Sequence, residues 1–332
     1  MIDPVAFARS LIDIDSTTGR EHDVAGLLAR ALREQQYLVT EQPLPDGRFN
    51  VYARVSDETP LVVFSTHVDC VPPFFPSREE RGLLFGRGAC DAKGILAAQV
   101  AAVERLRAAG ERRAALLFVA GEERGSDGAR LANEHAPVGV KYLINGEPTD
   151  NRLGAATRGV LRVRLRAEGR AAHSAFPELG ESAIDKLLDA LMVIRGVRLP
   201  EDPLLGRTHY TVGLIDGGVA PNVISPQASA ELMFRIVGDA ATVRAALSVV
   251  ESIVTIEPIL DVPAVRLHTV DGFEQAVFPY TTDVPLLHKW GTPLLVGPGS
   301  IHVAHTDDEH VVIDELRAAV GLYEKLALRL LH

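Results

Sequence analysis

Leu61-Val62-Val63-Phe64-Ser65-Thr66-His67-Val68-Asp69 carries an apolar, branched run straight into a histidine and an aspartate. The construction recurs along the chain. Ala114-Ala115-Leu116-Leu117-Phe118-Val119-Ala120 leads into Gly121-Glu122-Glu123, and Tyr142-Leu143-Ile144 into Gly146-Glu147-Pro148. Leu294-Leu295-Val296 is followed by Ala304-His305-Thr306-Asp307-Asp308-Glu309. Short runs rich in branched or aromatic residues read as buried strands. Ligands of an open, mostly parallel sheet gather just beyond the carboxyl ends of its strands. The pattern predicts an α/β domain with a mostly parallel sheet flanked by helices, and one polar rim built from distant residues. A fifth segment, Gly86-Arg87-Gly88-Ala89-Cys90-Asp91-Ala92-Lys93-Gly94, sets an aspartate ahead of a helical pattern over 94–109 that Gly110 closes.

Outward from these segments, residues 4–37 read as two helices broken at Ser16-Thr17-Thr18-Gly19. Near Arg158-Gly159 the texture changes. Val160 to Ala167 alternates strictly, as a half-solvated antiparallel strand does. A helix over 182–195, strands over 208–215 and 228–237, and a helix over 239–252 follow. This β-α-β-β-α-β order is that of a ferredoxin-like unit. It predicts an inserted domain at 159–267 and a two-part catalytic domain from 1–158 and 268–332, ending in a helix over 315–331.

The chain has 332 residues, enough for two domains. Its net charge of -10 argues against nucleic acid or an anionic membrane as partner. Met1-Ile2-Asp3-Pro4 lacks a basic region followed by an apolar stretch, so no signal peptide is expected, and no run approaches a membrane span. Cys70 and Cys90 are too few for a disulfide framework and point to a reducing cytoplasm. No Gly-x-Ser-x-Gly elbow near a strand end supports a serine hydrolase.

His67 and Asp69, two apart on an extended chain, leave it on the same side, so the carboxylate can fix the imidazole's tautomer. Alone, the pair reads better as a satisfied structural histidine. Asp91 can bridge two cations with its two oxygens, or simply cap the helix that follows. Adjacent Glu122 and Glu123 after a buried strand repel and lose hydration unless cations or a shared proton compensate. One then binds metal while the other takes a proton from the attacking water. Counted together, His67, Asp91 and Glu147 could serve one ion, and Asp91, Glu123 and His305 a second. Mixed nitrogen and oxygen donors without sulfur fit catalytic zinc, with cobalt or manganese as substitutes.

These segments, in this order, resemble the zinc amidohydrolase and metallopeptidase family of acetylornithine deacetylase, succinyl-diaminopimelate desuccinylase, aminoacylase and glutamate carboxypeptidase. The resemblance spans essentially the whole chain, including Ser16–Gly19 and Gly47-Arg48-Phe49-Asn50-Val51. It implies two zinc ions on the five ligands just named, Glu122 as general base, Asp69 as orienter of His67, and a cis peptide after Asp91. It makes the inserted domain a lid and dimerisation module and implies a homodimer. Within that domain it makes His173, in Ala172-His173-Ser174-Ala175, an oxyanion donor to a neighbouring subunit's site. Asn222 and Arg235 become substrate-holding groups, and Ser300 a further donor. Gly297-Pro298-Gly299-Ser300 with Ala304–Glu309 is closer to the acetylornithine or acetyl-lysine deacetylases than to the desuccinylases. The implied activity is hydrolysis of an N-acyl amino acid, as in amino-acid biosynthesis. A dipeptidase or carboxypeptidase with the same site, a desuccinylase, and a catalytically silent binding protein are the alternatives.

Overall fold

Alternation along each central strand sorts its side chains between two cores. In Val62–His67, Val62 and Phe64 enter a large core while Val63 enters a smaller one. In Ala114–Val119, Leu116 and Phe118 join the first while Ala115, Leu117 and Val119 join the second. The computed structural model describes residues 2–332. The helices, in chain order, are α1 (Pro4–Ile12), α2 (His22–Glu34), α3 (Lys93–Ala108), α4 (Asp127–Glu134), α5 (Ala183–Gly196), α6 (Ala240–Leu247) and α7 (Ile313–Leu331). None is long and apolar enough to cross a membrane.

The chain divides into two units. One comprises the chain up to Ala155 with Leu267–Ala276 and Thr282–His332, and the other Ala156–Arg266 with Val277–Thr281. The expected boundaries at 158/159 and 267/268 therefore need correction. Val265–Arg266 pairs with Ala156–Thr157, the Arg158 amide donates to the Phe278 carbonyl, and the Thr281 hydroxyl donates to the Arg158 carbonyl. Those bonds draw residues 277–281 into the smaller unit.

In the larger unit a six-stranded sheet has the order Leu38–Pro43, Phe49–Arg54, Ala114–Val119, Val62–His67, Tyr142–Asn145, Thr292–Leu295. The first two pairings are antiparallel and the remaining three parallel. The parallel strands end together, with His67 opposite Val119 and both Ser65 and Leu295 opposite Asn145. The large core holds α1, α2, α3 and α7 against one face, and α4 with Trp290 covers the other. Alanine-rich α3 is buried on nearly every side because it packs between the sheet, α1 and α7.

The smaller unit is ferredoxin-like, as its pattern predicts. Its antiparallel sheet runs His209–Gly217, Gln227–Ile236, Gly159–Glu168, Thr255–Val262, with α5 and α6 sharing its core. The helix expected over 239–252 stops at Leu247 and gives way to a 3-10 turn over Ser248–Val250. The Ser248 hydroxyl donates to the Ala245 carbonyl at 2.8 Å, competing with the α-helical ladder there.

Candidate metal centre

Four of the five quoted segments leave the aligned strand ends of the larger unit, and the Asp91 turn joins them. His67 is the last residue of its strand and buried. Its Nδ1 is 2.9 Å from the Asp69 backbone carbonyl and 3.5 Å from the Asp69 carboxylate. Its Nε2 lies 2.9 Å from Asp91 Oδ1. Asp91's other oxygen, Oδ2, lies 3.2 Å from His305 Nε2, which is also 2.9 Å from Glu123 Oε1. One aspartate thus shows a separate oxygen to each of two histidines. Ligand atoms of His67, Asp91 and Glu123 fall within 4.8 Å of one another.

Asp91 does not cap α3. The N-cap is Ala92, without a side-chain hydrogen bond, so the carboxylate is left for the two imidazoles. The Asp91–Ala92 peptide is cis, as the resemblance implies. His305 sits at φ 63°, in the left-handed region, on an exposed turn.

The Glu122–Glu123 turn is held from two sides. In front, buried Asp69 accepts the Glu122 amide at 3.0 Å, the Glu123 amide at 3.1 Å and the Thr18 hydroxyl at 2.9 Å. Behind, Arg48 pairs with Asp127 at the start of α4 and with Glu21. Gly121 lies between at φ 80°; a Cβ there would meet Asp127 Oδ1 at 2.1 Å and Arg48 Nη1 at 2.9 Å. Only glycine suits both that conformation and that space. Asn50 adds a bond to the Gly128 carbonyl and accepts the Ala120 amide.

Glu147 follows Gly146, whose carbonyl accepts the Thr66 hydroxyl. It is buried but stands outside the close group of His67, Asp91 and Glu123, interacting with it through charge. Ser300 is half-buried and bridges to Thr149 through its backbone.

The charge state follows from burial without cations. Burial pushes Glu122 well above the carboxylate range, helped by the Asp283 charge, and does the same to Glu147. Burial opposes ionised Asp91, yet His305 and His67 hold its carboxyl well below the usual value. Bonds to Asp91 and Glu123 lift His305 to about 10. Burial works against a charged His67, but Asp69 and Asp91 outweigh it and keep its pKa raised. Protonated imidazoles therefore supply the counter-charge. Divalent cations favour the opposite state, neutral histidine and ionised carboxylate, in the same places.

The donor set fits such ions. Two donor atoms each about 2.0–2.1 Å from one zinc stand about 3.3 Å apart at a tetrahedral angle. The His305–Asp91 separation is 3.2 Å. His67, Asp91, Glu123, Glu147 and His305 are the residues that could hold metal, and none offers sulfur.

In the smaller unit, His173 and Asn222 are neighbours. His173 bridges to Val223, and the Asn222 carbonyl accepts the Ser174 amide at 3.0 Å. Both are exposed. Arg235 is half-buried on Gln227–Ile236 and makes no ion pair among the described residues. It lies eight residues along that strand from Gln227, about 26 Å at the usual strand rise.

Four groups around the site carry no mark in the sequence that points to their roles. Thr18 and Arg48 brace the Glu122–Glu123 turn from its two sides. Glu309 closes the His305 segment and is wholly buried. Asp283 is buried, and burial lifts it to about 6 against the pull of the Ser126 hydroxyl beside it. Nothing in its neighbourhood of sequence singles Asp283 out.

The profile of Peptidase family M20/M25/M40 matches residues 63–329. A probable carboxypeptidase of Aspergillus flavus is 36% identical over 372 residues, covering 97% of this chain and 86% of that protein. A peptidase M20 domain-containing protein of Schizosaccharomyces pombe is 33% identical, covering 98% of this chain and 84% of that protein. Among solved structures, the aminopeptidase PepT of Bacillus cereus has TM-score 0.83 at 18% identity, covering 99% of this chain and 98% of that one. An M20 metallo-carboxypeptidase of Sulfolobus solfataricus gives 0.80 at 17%, covering 99% of each chain. A dinuclear metal-binding M20 peptidase of Bacillus subtilis gives 0.72 at 15%, covering 98% and 96%.

Proposed function

Because the chain belongs to peptidase family M20/M25/M40 and is a hydrolase of that metallopeptidase family, we propose that it cleaves the amide bond to an amino acid with a free carboxylate. The favoured substrate is a short peptide losing its C-terminal residue, the reading its carboxypeptidase-named relatives support. An N-acyl amino acid, as for acetylornithine deacetylase, presents the same bond, and the Gly297–Ser300 and Ala304–Glu309 segments favour it as the second reading.

The carrying observation is Asp91, with one oxygen toward His67 and the other toward His305. His67, Asp91 and Glu147 would hold one ion, and Asp91, Glu123 and His305 the other, both zinc with cobalt or manganese able to substitute. Bound there, the pair supplies Lewis acidity to the carbonyl and lowers the pKa of water. Glu122, its backbone fixed by Asp69, takes a proton from the attacking water and passes it to the leaving nitrogen. Asp69 also orients His67. Arg235 receives the substrate carboxylate, a role its unpaired guanidinium supports.

His173 and Asn222 act together, because their loops are hydrogen-bonded to each other. They serve the site of a second copy, with His173 donating to the oxyanion and Asn222 to substrate. Support for the homodimer lies in one apolar surface of the smaller unit. Ile184, Leu188 and Met192 line the outer side of α5, and edge strand His209–Gly217 exposes Val212 and Ile215 on the same face of the sheet as α5. Ile184 lies against the end of that strand at Gly217. An unpaired edge beside an apolar stripe is suited to a two-fold partner. The free, buried Cys70 and Cys90 fit a cytoplasmic setting. Ser300 is retained as a lesser donor to substrate.

Zinc- or cobalt-loaded protein assayed on dipeptides, their C-terminal amides, acetylornithine, acetyl-lysine and succinyl-diaminopimelate tests this. Cleavage is expected only where the carboxylate is free. Amides cleaved as fast as acids would remove Arg235 and the terminal-carboxylate reading.

A further inference from the structure

Glu309 is a buried carboxylate that touches neither histidine, yet its bonds converge on the turn carrying Asp91. Oε1 accepts three backbone amides, from Gly88 at 2.9 Å, Cys90 at 3.2 Å and Asp91 itself at 3.1 Å. Oε2 accepts Arg87 Nη1 at 2.7 Å. Arg87 is equally buried, donates from Nε to the Pro73 carbonyl and lies over the Phe75 ring at 4.9 Å.

Glu309 is itself fixed by strand pairing. His310–Val312 pairs antiparallel with Leu83–Phe85, with His310 opposite Phe85, and one further bond joins the Gly86 amide to the Glu309 carbonyl. That register brings residue 309 to the turn that begins at Gly86. The turn admits little else. Gly88 is at φ 89°, and a Cβ there would meet Cys70 Sγ at 2.7 Å and Lys93 Cδ at 2.9 Å.

We propose that Glu309 is the positioning residue of the metal pair: it fixes the bridging ligand Asp91 by its backbone and ties it to the chain four residues beyond His305. The inference rests on the bridging reading of Asp91. Through Glu309, the Asp91 turn and the His305 loop, which would supply ligands to the second ion, are joined by a fixed link. Oxygen Oε1 carries three backbone donors at once and Oε2 takes the Arg87 guanidinium, so both oxygens of the carboxylate are committed to fixed partners. Because Asp91 would serve both ions, loosening the turn weakens both together. A buried ion pair that serves stability alone would lower the melting temperature and leave the folded protein's metal affinity alone.

The test uses the full-length protein stripped of metal and titrated with Zn²⁺ against a chromophoric chelator, with visible absorption of the Co²⁺-loaded form as a second reading. In Glu309→Gln, one face keeps an oxygen and the other presents an NH₂. Either Arg87 or the three amides then lose their acceptor. Both ions should bind about 10- to 100-fold more weakly, the usual scale for loss of an outer-shell partner, and the cobalt spectrum should change. Glu309→Ala should be worse; if it does not fold, Glu309→Gln decides. Wild-type affinity in folded Glu309→Gln, or weakening of one ion alone, overturns the proposal. Asp91→Ala is measured alongside. If it holds both ions tightly, the bridging reading itself fails. If it loses them while Glu309→Gln binds normally, only the positioning role fails.

Discussion

In the larger unit Asp69, Asp91 and Glu123 are held by fixed partners: Asp69 by two amides and Thr18, Asp91 between two imidazoles, Glu123 by His305. In the smaller unit the candidates are open. His173 and Asn222 are exposed and Arg235 has no ion-pair partner among the described residues. Charged groups that are buried must be satisfied inside one chain or neutralised by bound cations, so that site can be complete in itself. Exposed or unpaired groups cost little while waiting, and such groups suit a substrate or a second copy.

Five substitutions and one titration probe that contrast, in falling order of expected effect. Asp91→Ala should abolish turnover and lose both ions, because its two oxygens face the two histidines separately. Metal analysis finding one tightly held ion in Asp91→Ala breaks the bridging assignment. Glu122→Gln should keep the metals and lower kcat by roughly 100-fold or more, the scale of a lost general base; near-normal turnover removes Glu122 from the mechanism.

His173→Ala should lower kcat by about 100- to 1000-fold with metal content unchanged, as for one oxyanion donor. Mixed Glu122→Gln and His173→Ala subunits should regain part of the activity, since one site of the heterodimer has both native groups. No recovery in verified heterodimers means His173 does not act across subunits. Arg235→Lys should raise KM for free-carboxylate substrates about tenfold with kcat little changed, because a lysine cannot make the bidentate pair. An unchanged KM ends that assignment.

The smallest effect concerns the metal-free protein. His305, raised from 6.5 to about 10 by Asp91 and Glu123, binds its proton more tightly folded than unfolded. Its contribution is full below pH 6.5 and is lost as pH rises toward 10. Asp283, raised from 3.8 to about 6 by burial, acts in the same sense at lower pH. The melting temperature of stripped protein should fall from pH 6.5 to 10, and His305→Gln should flatten that slope. A flat wild-type profile contradicts the pairing of His305 with Asp91 and Glu123.

Much of this was legible along the chain. Val62–His67 and Ala114–Val119 declare themselves because a strand covered on both faces must be apolar throughout, and the ligand-type residues come where that constraint ends. Gly159–Glu168 declares itself by the opposite habit, alternation on a half-covered sheet. Asp283 and Glu309 gave no such sign. Each is one acid among 44 Asp and Glu residues, distinguished only by what surrounds it.

The order of residues by itself determined the two-unit α/β plan, the strands, and which side chains lie at their carboxyl ends, since those depend on periodicity and on local burial. Tertiary structure decided that Asp91 turns from capping α3 to face two histidines, and that Asp69 grips the Glu122–Glu123 turn. It also decided that Glu309 reaches a turn some 220 positions earlier, its carboxylate meeting Gly88, Cys90 and Asp91 at separations of 221, 219 and 218 residues. Those are choices among hydrogen-bond partners far apart in the chain. A carboxylate accepts from whichever donor the packing brings within about 3 Å, and no local pattern records which one that is.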